Sequence, residues 1–150
     1  MAALVSYPTS KTVQQLGCFA LAHLAGDSSG GPPSATSFDN QKRIGMVPGS
    51  VEVLLTAIVN HPTVKYLQHL GCMALFVLSQ YGPNAARLRA IPDVIATFKD
   101  ARKRGLDSEF ATKVLAIIEP LKPVARIASS SKKRKRTPRK REPRNRKLFQ

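Results

Sequence analysis

Apolar residues recur at helical spacing in two long runs, and the two runs are nearly the same text. Residues 9–26 read TSKTVQQLGCFALAHLAG and residues 63–80 read TVKYLQHLGCMALFVLSQ. A shift of 54 carries Lys11 onto Lys65, Leu16-Gly17-Cys18 onto Leu70-Gly71-Cys72, Ala20-Leu21 onto Ala74-Leu75 and Leu24 onto Leu78, and brings Tyr7-Pro8 near His61-Pro62. Self-similarity at such a period is the mark of a repeat architecture. Leu70 to Leu78 is apolar on nearly every side, so the second long helix is expected to be sandwiched between neighbours.

Taken in order, residues 2–5 read as the last turn of a helix, because Ala3-Leu4-Val5 falls on Ala57-Ile58-Val59. Tyr7-Pro8-Thr9-Ser10 supplies a break and an N-cap; Val13, Leu16, Ala20 and Leu24 then follow at helical spacing until Gly26. Residues 27–39, DSSGGPPSATSFD, have no periodic apolar face and read as a solvent loop. Asn40 is placed as the cap of a short helix to Met46. Pro48 is placed in the first turn of the next helix, which buries Val51, Leu54, Leu55 and Ile58. A second shift, of 44, sends Asn40 to Asn84, Ile44 to Leu88, Val47-Pro48 to Ile91-Pro92, Leu54 to Phe98 and Ala57 to Ala101, and then Tyr66 to Phe110 and Leu70 to Val114. The unit is therefore a short helix, a second helix and a long helix. The longer connection at residues 27–39 accounts for the larger of the two shifts. A third long helix is expected over residues 107–119, ended by Pro120 and Pro123.

A three-helix unit of this length with G-C-x-A-L-x-x-L in its longest helix resembles the armadillo repeat family. The stretches that carry the likeness run from Leu16 to Ala25 and from Leu70 to Ser79. The resemblance implies an all-α fold: an armadillo-like α-solenoid, a right-handed superhelix of three-helix repeats, over residues 1–123, with a disordered basic tail over 124–150. It further implies a protein-interaction scaffold whose third helices line a concave groove for a protein or peptide ligand. On this chain the groove positions are Gln15, Phe19, His23, His69, Met73, Val77 and Gln80. Importin-like members carry a tryptophan and, four residues later, an asparagine; here those places hold Phe19 and His23, then Met73 and Val77. That departure argues against recognition of extended basic peptides in the importin manner.

Composition sharpens this in three ways. With aromatics at 6% and no tryptophan, the core must be aliphatic. Two cysteines cannot build a disulfide framework, and Cys18 and Cys72, lying mid-helix without CxxC or HxxxH partners, are expected to pack as small hydrophobes. No segment approaches the ~20 uninterrupted apolar residues of a membrane span. An intracellular, eukaryotic protein of nuclear or nucleo-cytoplasmic location, with no cofactor and no metal, is the expectation. Gly17 and Gly71 sit where a helix interior disfavours glycine by about 0.5–1 kcal/mol, so a neighbouring helix is expected to approach closely there.

Candidate chemistry is otherwise sparse. No phosphate loop, nucleophile elbow or paired carboxylate is present, and an enzyme is not expected. His61 reads as loop filler, while His23 and His69 read either as part of a solvated face or as polar groove contacts. The formal charge of +15 is concentrated at the end: residues 131–150 hold 11 basic residues against Glu142. Within it Lys132, Lys133, Arg134, Lys135 and Arg136, then Arg139, Lys140 and Arg141, resemble a nuclear localisation signal read by an importin-type carrier. The alternative is a nucleic-acid-associated protein whose tail binds phosphates without sequence preference, since no aromatic is interleaved before Phe149. Finally, Ala3, Leu4 and Val5 leave an N-terminal face with no polar cap, which predicts marginal stability or self-association.

Overall fold

The structure, a computed structural model, describes residues 1–26, 33–106 and 109–119. Among them there are eight α-helices and no strand. They are α1 (Ala2–Ser6), α2 (Lys11–Ala25), α3 (Ala35–Met46), α4 (Ser50–Asn60), α5 (Lys65–Ser79), α6 (Gly82–Ala90), α7 (Val94–Lys103) and α8 (Glu109–Ile118). Contacts divide the chain into Met1–Pro120 and Leu121–Gln150; the second unit, with the whole basic cluster, lies outside the described residues.

The long helices lie side by side in the order α2, α5, α8, with α5 touching both others. Every residue from Leu70 to Ser79 is consequently buried. Large, fully buried side chains gather around α5: Leu54 and Ile58 from α4, Leu67, Leu75 and Leu78 from α5 itself, Leu88 from α6 and Ile118 from α8, while Phe98 of α7 is sealed on the far side of α8 and α6. Around Gly17-Cys18 and Gly71-Cys72 the two copies of the long helix meet matching surroundings. Cys18 and Cys72 are both sealed from solvent. A Cβ on Gly71 would stand 2.6 Å from Ile58 Cγ1, and one on Gly17 would run into Leu4, the residue 54 positions before Ile58. The mid-helix glycines are there because a side chain of the preceding helix occupies that space.

Two expected starts are corrected. α3 begins at Ala35 rather than after Asn40, because Ser34 is the cap: its Oγ accepts from the Ser37 amide at 3.1 Å. The latter part of the expected 27–39 loop is therefore helix, and residues 27–32 lie outside the described set. Pro48 does not open α4. Val47-Pro48-Gly49 forms a turn, with Ser50 N donating to Val47 O at 3.1 Å and Gly49 at φ 75°, and the helix starts at Ser50. The same turn recurs 44 residues on at Ile91-Pro92-Asp93, where Asp93 takes φ 58°, a left-handed conformation that a short polar side chain tolerates.

Two devices close α1, α4 and α7, and one of them is used twice. Gln68 Nε2 donates to Ile58 O at 2.6 Å and to His61 O at 3.0 Å, capping the carbonyl end of α4 from the following helix. Fifty-four residues earlier, Gln14 Nε2 donates to Leu4 O at 2.8 Å and Tyr7 O at 2.9 Å, which does the same for α1. At the corresponding place α7 uses glycine instead. Gly105, at φ 65°, donates to Arg102 O while Leu106 N donates to Ala101 O, a Schellman closure.

The short helices are joined by polar clamps. Asn84, buried in α6, donates through Nδ2 to Gln41 O of α3 at 2.9 Å and to Leu78 O of α5 at 3.0 Å. Arg87 donates to Gly45 O and pairs with Glu52 at 3.0 Å. Gly45 is glycine because the Asn84 amide lies where its Cβ would be.

Candidate interaction groove

α2 and α5 begin alike, each opening on a lysine, and neither contains an acidic residue. Their ionisable side chains are Lys11 and His23 on α2, and Lys65, Tyr66 and His69 on α5, besides the two buried thiols. Where the two helices run side by side, a cleft of about 270 Å³ opens between Thr12, Gln15, Leu16 and Phe19 on one wall and Tyr66 and Leu70 on the other. Positions 12, 16 and 19 fall on one face of α2 by helical periodicity. Leu16, Phe19 and Tyr66 all stand largely out in solvent although each is large and apolar or amphipathic. Three such side chains around one cleft form a contiguous apolar patch.

The expected groove residues divide. Gln15 and Phe19 line the cleft. His23 is exposed beside it, its ring 4.0 Å from that of Phe19 and its Nδ1 3.0 Å from Phe19 O. His69 is half-buried and turns its ring edge toward Phe110 of α8 at 5.2 Å. Gln80 is half-buried at the end of α5, accepting from Gln41 Nε2 at 3.4 Å. Met73 and Val77 are core residues: Val77 is sealed and Met73 nearly so, because α5 is covered on both sides by α2 and α8. Thr12, Leu16, Tyr66 and Leu70 were not among the expected contacts. An available signal was Leu16 standing one turn before Phe19 on the polar-flanked side of α2.

His61 is corrected from loop filler. It is buried, and its Nε2 lies 2.9 Å from Pro8 O, so it ties the α4–α5 turn to the corresponding α1–α2 turn. At the far end Lys113 bonds Glu109 at 2.8 Å and sits over Phe110 at 4.8 Å and Phe76 at 5.3 Å. The hydrogen bond and then the charge of Lys113 hold the exposed Glu109 carboxyl below its ordinary range. Burial pushes the Cys18 thiol up to about 12, so at neutral pH it is a protonated, apolar group.

The chain matches no family model, no curated protein and no solved structure. Among the described residues no three His, Cys, Asp or Glu side chains gather as metal ligands, and no single helix is long and apolar enough to cross a membrane. The cleft between α2 and α5 gathers aromatic and aliphatic side chains, on two helices that carry Lys11 and Lys65 and no carboxylate.

Proposed function

We propose that the folded body is a protein-interaction scaffold of armadillo type, a short α-solenoid in which α2, α5 and α8 are successive third helices, and that its α2–α5 cleft takes a peptide with an apolar anchor and acidic flanks. The observation that carries this is the cleft itself: Leu16, Phe19 and Tyr66 exposed together on two helices that lack any acidic residue. An apolar anchor would cover the rings, and carboxylates would meet Lys11 and Lys65. The repeated contacts at Gln14 and Gln68, at Gly17 and Gly71, and at the two Pro-containing turns support the solenoid reading.

The test uses fluorescently labelled synthetic peptides with a central Leu-Phe pair and either Asp/Glu or Lys/Arg flanks, titrated with the full chain. The acidic series should bind more tightly, with affinity falling as salt rises. Tyr66→Ala or Phe19→Ala should each weaken it by ~10-fold, a loss of about 1–2 kcal/mol for an interface aromatic. Equal binding of both series, or indifference to both substitutions, would reject the reading.

The tail carries a separate proposal, resting on its sequence: Lys132 to Arg136 and Arg139 to Arg141 form an address read by an importin-type carrier, which would place the protein in the nucleus. Deleting residues 131–150 should abolish nuclear accumulation and leave peptide binding intact. The competing nucleic-acid reading predicts instead a loss of DNA binding whose log–log salt slope is near −7, if about 8 side chains neutralise phosphates.

A further inference from the structure

The repeat makes visible what one end of the folded body is built to receive. Leu16 and Leu24 of α2 are 64% and 61% exposed, whereas their counterparts Leu70 and Leu78 of α5 are 3% and 1% exposed. Between Leu16 and Leu24, the exposed Ala20 corresponds to the sealed Ala74. What covers α5 is α2, through a side whose buried positions include the small residues Cys18, Ala22 and Ala25. The apolar side of α2 is therefore in the position α5 would occupy if α2 were taken away. It lines a cleft of about 430 Å³ with Met1, Leu4, Leu16, Ala20 and Leu24.

A second, polar observation points to the same occupant. Asn84 and Arg87 spend their hydrogen bonds on the preceding unit: Asn84 on Gln41 O, Arg87 on Gly45 O and Glu52. Their counterparts 44 residues earlier, Asn40 and Arg43, have no hydrogen-bond partner among the described residues. They line a cleft of about 350 Å³ that also includes Leu24 and Ile44. Leu24 belongs to both clefts, so the apolar and polar vacancies are parts of one side of the molecule.

We infer that this side is a docking surface for one further helical unit of the same build: a long helix with small side chains at i, i+4 and i+7 against Leu16, Ala20 and Leu24, and a short helix whose carbonyls accept from Asn40 and Arg43. Buried small residues let helices approach closely, and the two polar groups fix the register. A second copy fits less well in either arrangement. Head to tail, it would bring the small outward residues Thr112 and Ala116 of α8 toward the leucines but with them the carboxylate of Glu109. Face to face, it would set the large Leu16 and Leu24 side chains against their own copies rather than against small residues. The inference shares the repeat with the scaffold reading, and Leu16 borders both clefts, but Phe19 and Tyr66 line the peptide cleft alone, so peptide affinity measured at Tyr66 stands or falls separately.

The experiment is a tandem chain in which residues 9–54 precede Met1, which keeps the 54-residue register and supplies a second α2, Gln41, Gly45 and Glu52. With Leu16→Cys in the parent segment, both native thiols being buried, maleimide labelling should be at least ~10-fold slower in the tandem than in the parent chain, since protected positions react only on opening. Asn40→Ala should leave the urea midpoint of the parent chain unchanged and lower that of the tandem. Equal labelling rates, or a tandem that melts no more cooperatively than the parent, would overturn the inference. So would concentration-dependent protection of position 16 in the parent chain, which would assign the surface to a second copy.

Discussion

Phe98→Ala is expected to remove about 3–5 kcal/mol of stability, the range for deleting a buried ring where the site cannot collapse. Phe98 is fully sealed on α7, whose buried side, Val94, Phe98 and Ala101, is laid against α8 and α6. Its neighbours are held by other bonds. Arg89 of α6 donates to Ile118 O at 3.0 Å and Ile117 O at 2.8 Å, and Lys99 pairs with Glu119 at 2.7 Å, so α8 is anchored by its end and is poorly placed to fall into the vacancy. Domains of this size are stable by about 5–15 kcal/mol, so the loss is a large share of the total. Phe38→Ala is the control. Phe38 is 43% exposed and only edges onto the Tyr81 ring, and the change should cost under about 1 kcal/mol. Urea titrations followed by circular dichroism at 222 nm decide it; similar midpoints for the two variants would mean that the α7–α8 side contributes little to the cooperative core.

What was legible in the chain follows from which physical signals are local. The all-helical class and the identity of the long helices rested on apolar spacing, and α2, α5 and α8 lie within the spans it indicated. The glycines at 17 and 71 were legible as places of close approach because glycine has no favourable reason to stand mid-helix, and Leu4 and Ile58 are the groups that approach. The start of α3 was misplaced because its cap, Ser34, sits in a serine- and proline-rich stretch whose composition outweighs a single hydroxyl. Val77 was misassigned to the groove because periodicity on a helix that is apolar all round cannot say which side a neighbour covers. That depends on α8, whose own sequence match is the weakest. Tyr66 was overlooked for the opposite reason: an aromatic next to a helix-opening lysine reads locally as solvated, and only the proximity of α2 makes it the wall of a cleft. His61 was misread because its partner, Pro8 O, lies 53 residues away in the chain.

Gln14 and Gln68 are the most instructive omission, because the 54-residue register pairs them directly and a glutamine inside an apolar face asks for a reason. Their common role predicts an unequal outcome. Gln68→Met preserves length and packing but withdraws both bonds from the carbonyls of Ile58 and His61, in a turn where His61 is itself buried. An unsatisfied buried acceptor costs about 1–3 kcal/mol. His61 O keeps the Val64 amide at 3.2 Å, so the full loss falls on Ile58 O, and against it stands one relief, since Gln68 Oε1 has no partner of its own and methionine removes it. A net destabilisation of about 1–2 kcal/mol is expected on those terms. Gln14→Met breaks the matching pair of bonds, but Tyr7 is exposed and its carbonyl can turn to water, so the cost should be about half as large. The double variant should be additive within about 0.5 kcal/mol if the two caps act on separate turns. A coupling larger than that would locate the connection in His61, which bridges the two turns through Pro8 O, and His61→Ala should then abolish the coupling while leaving each single effect in place.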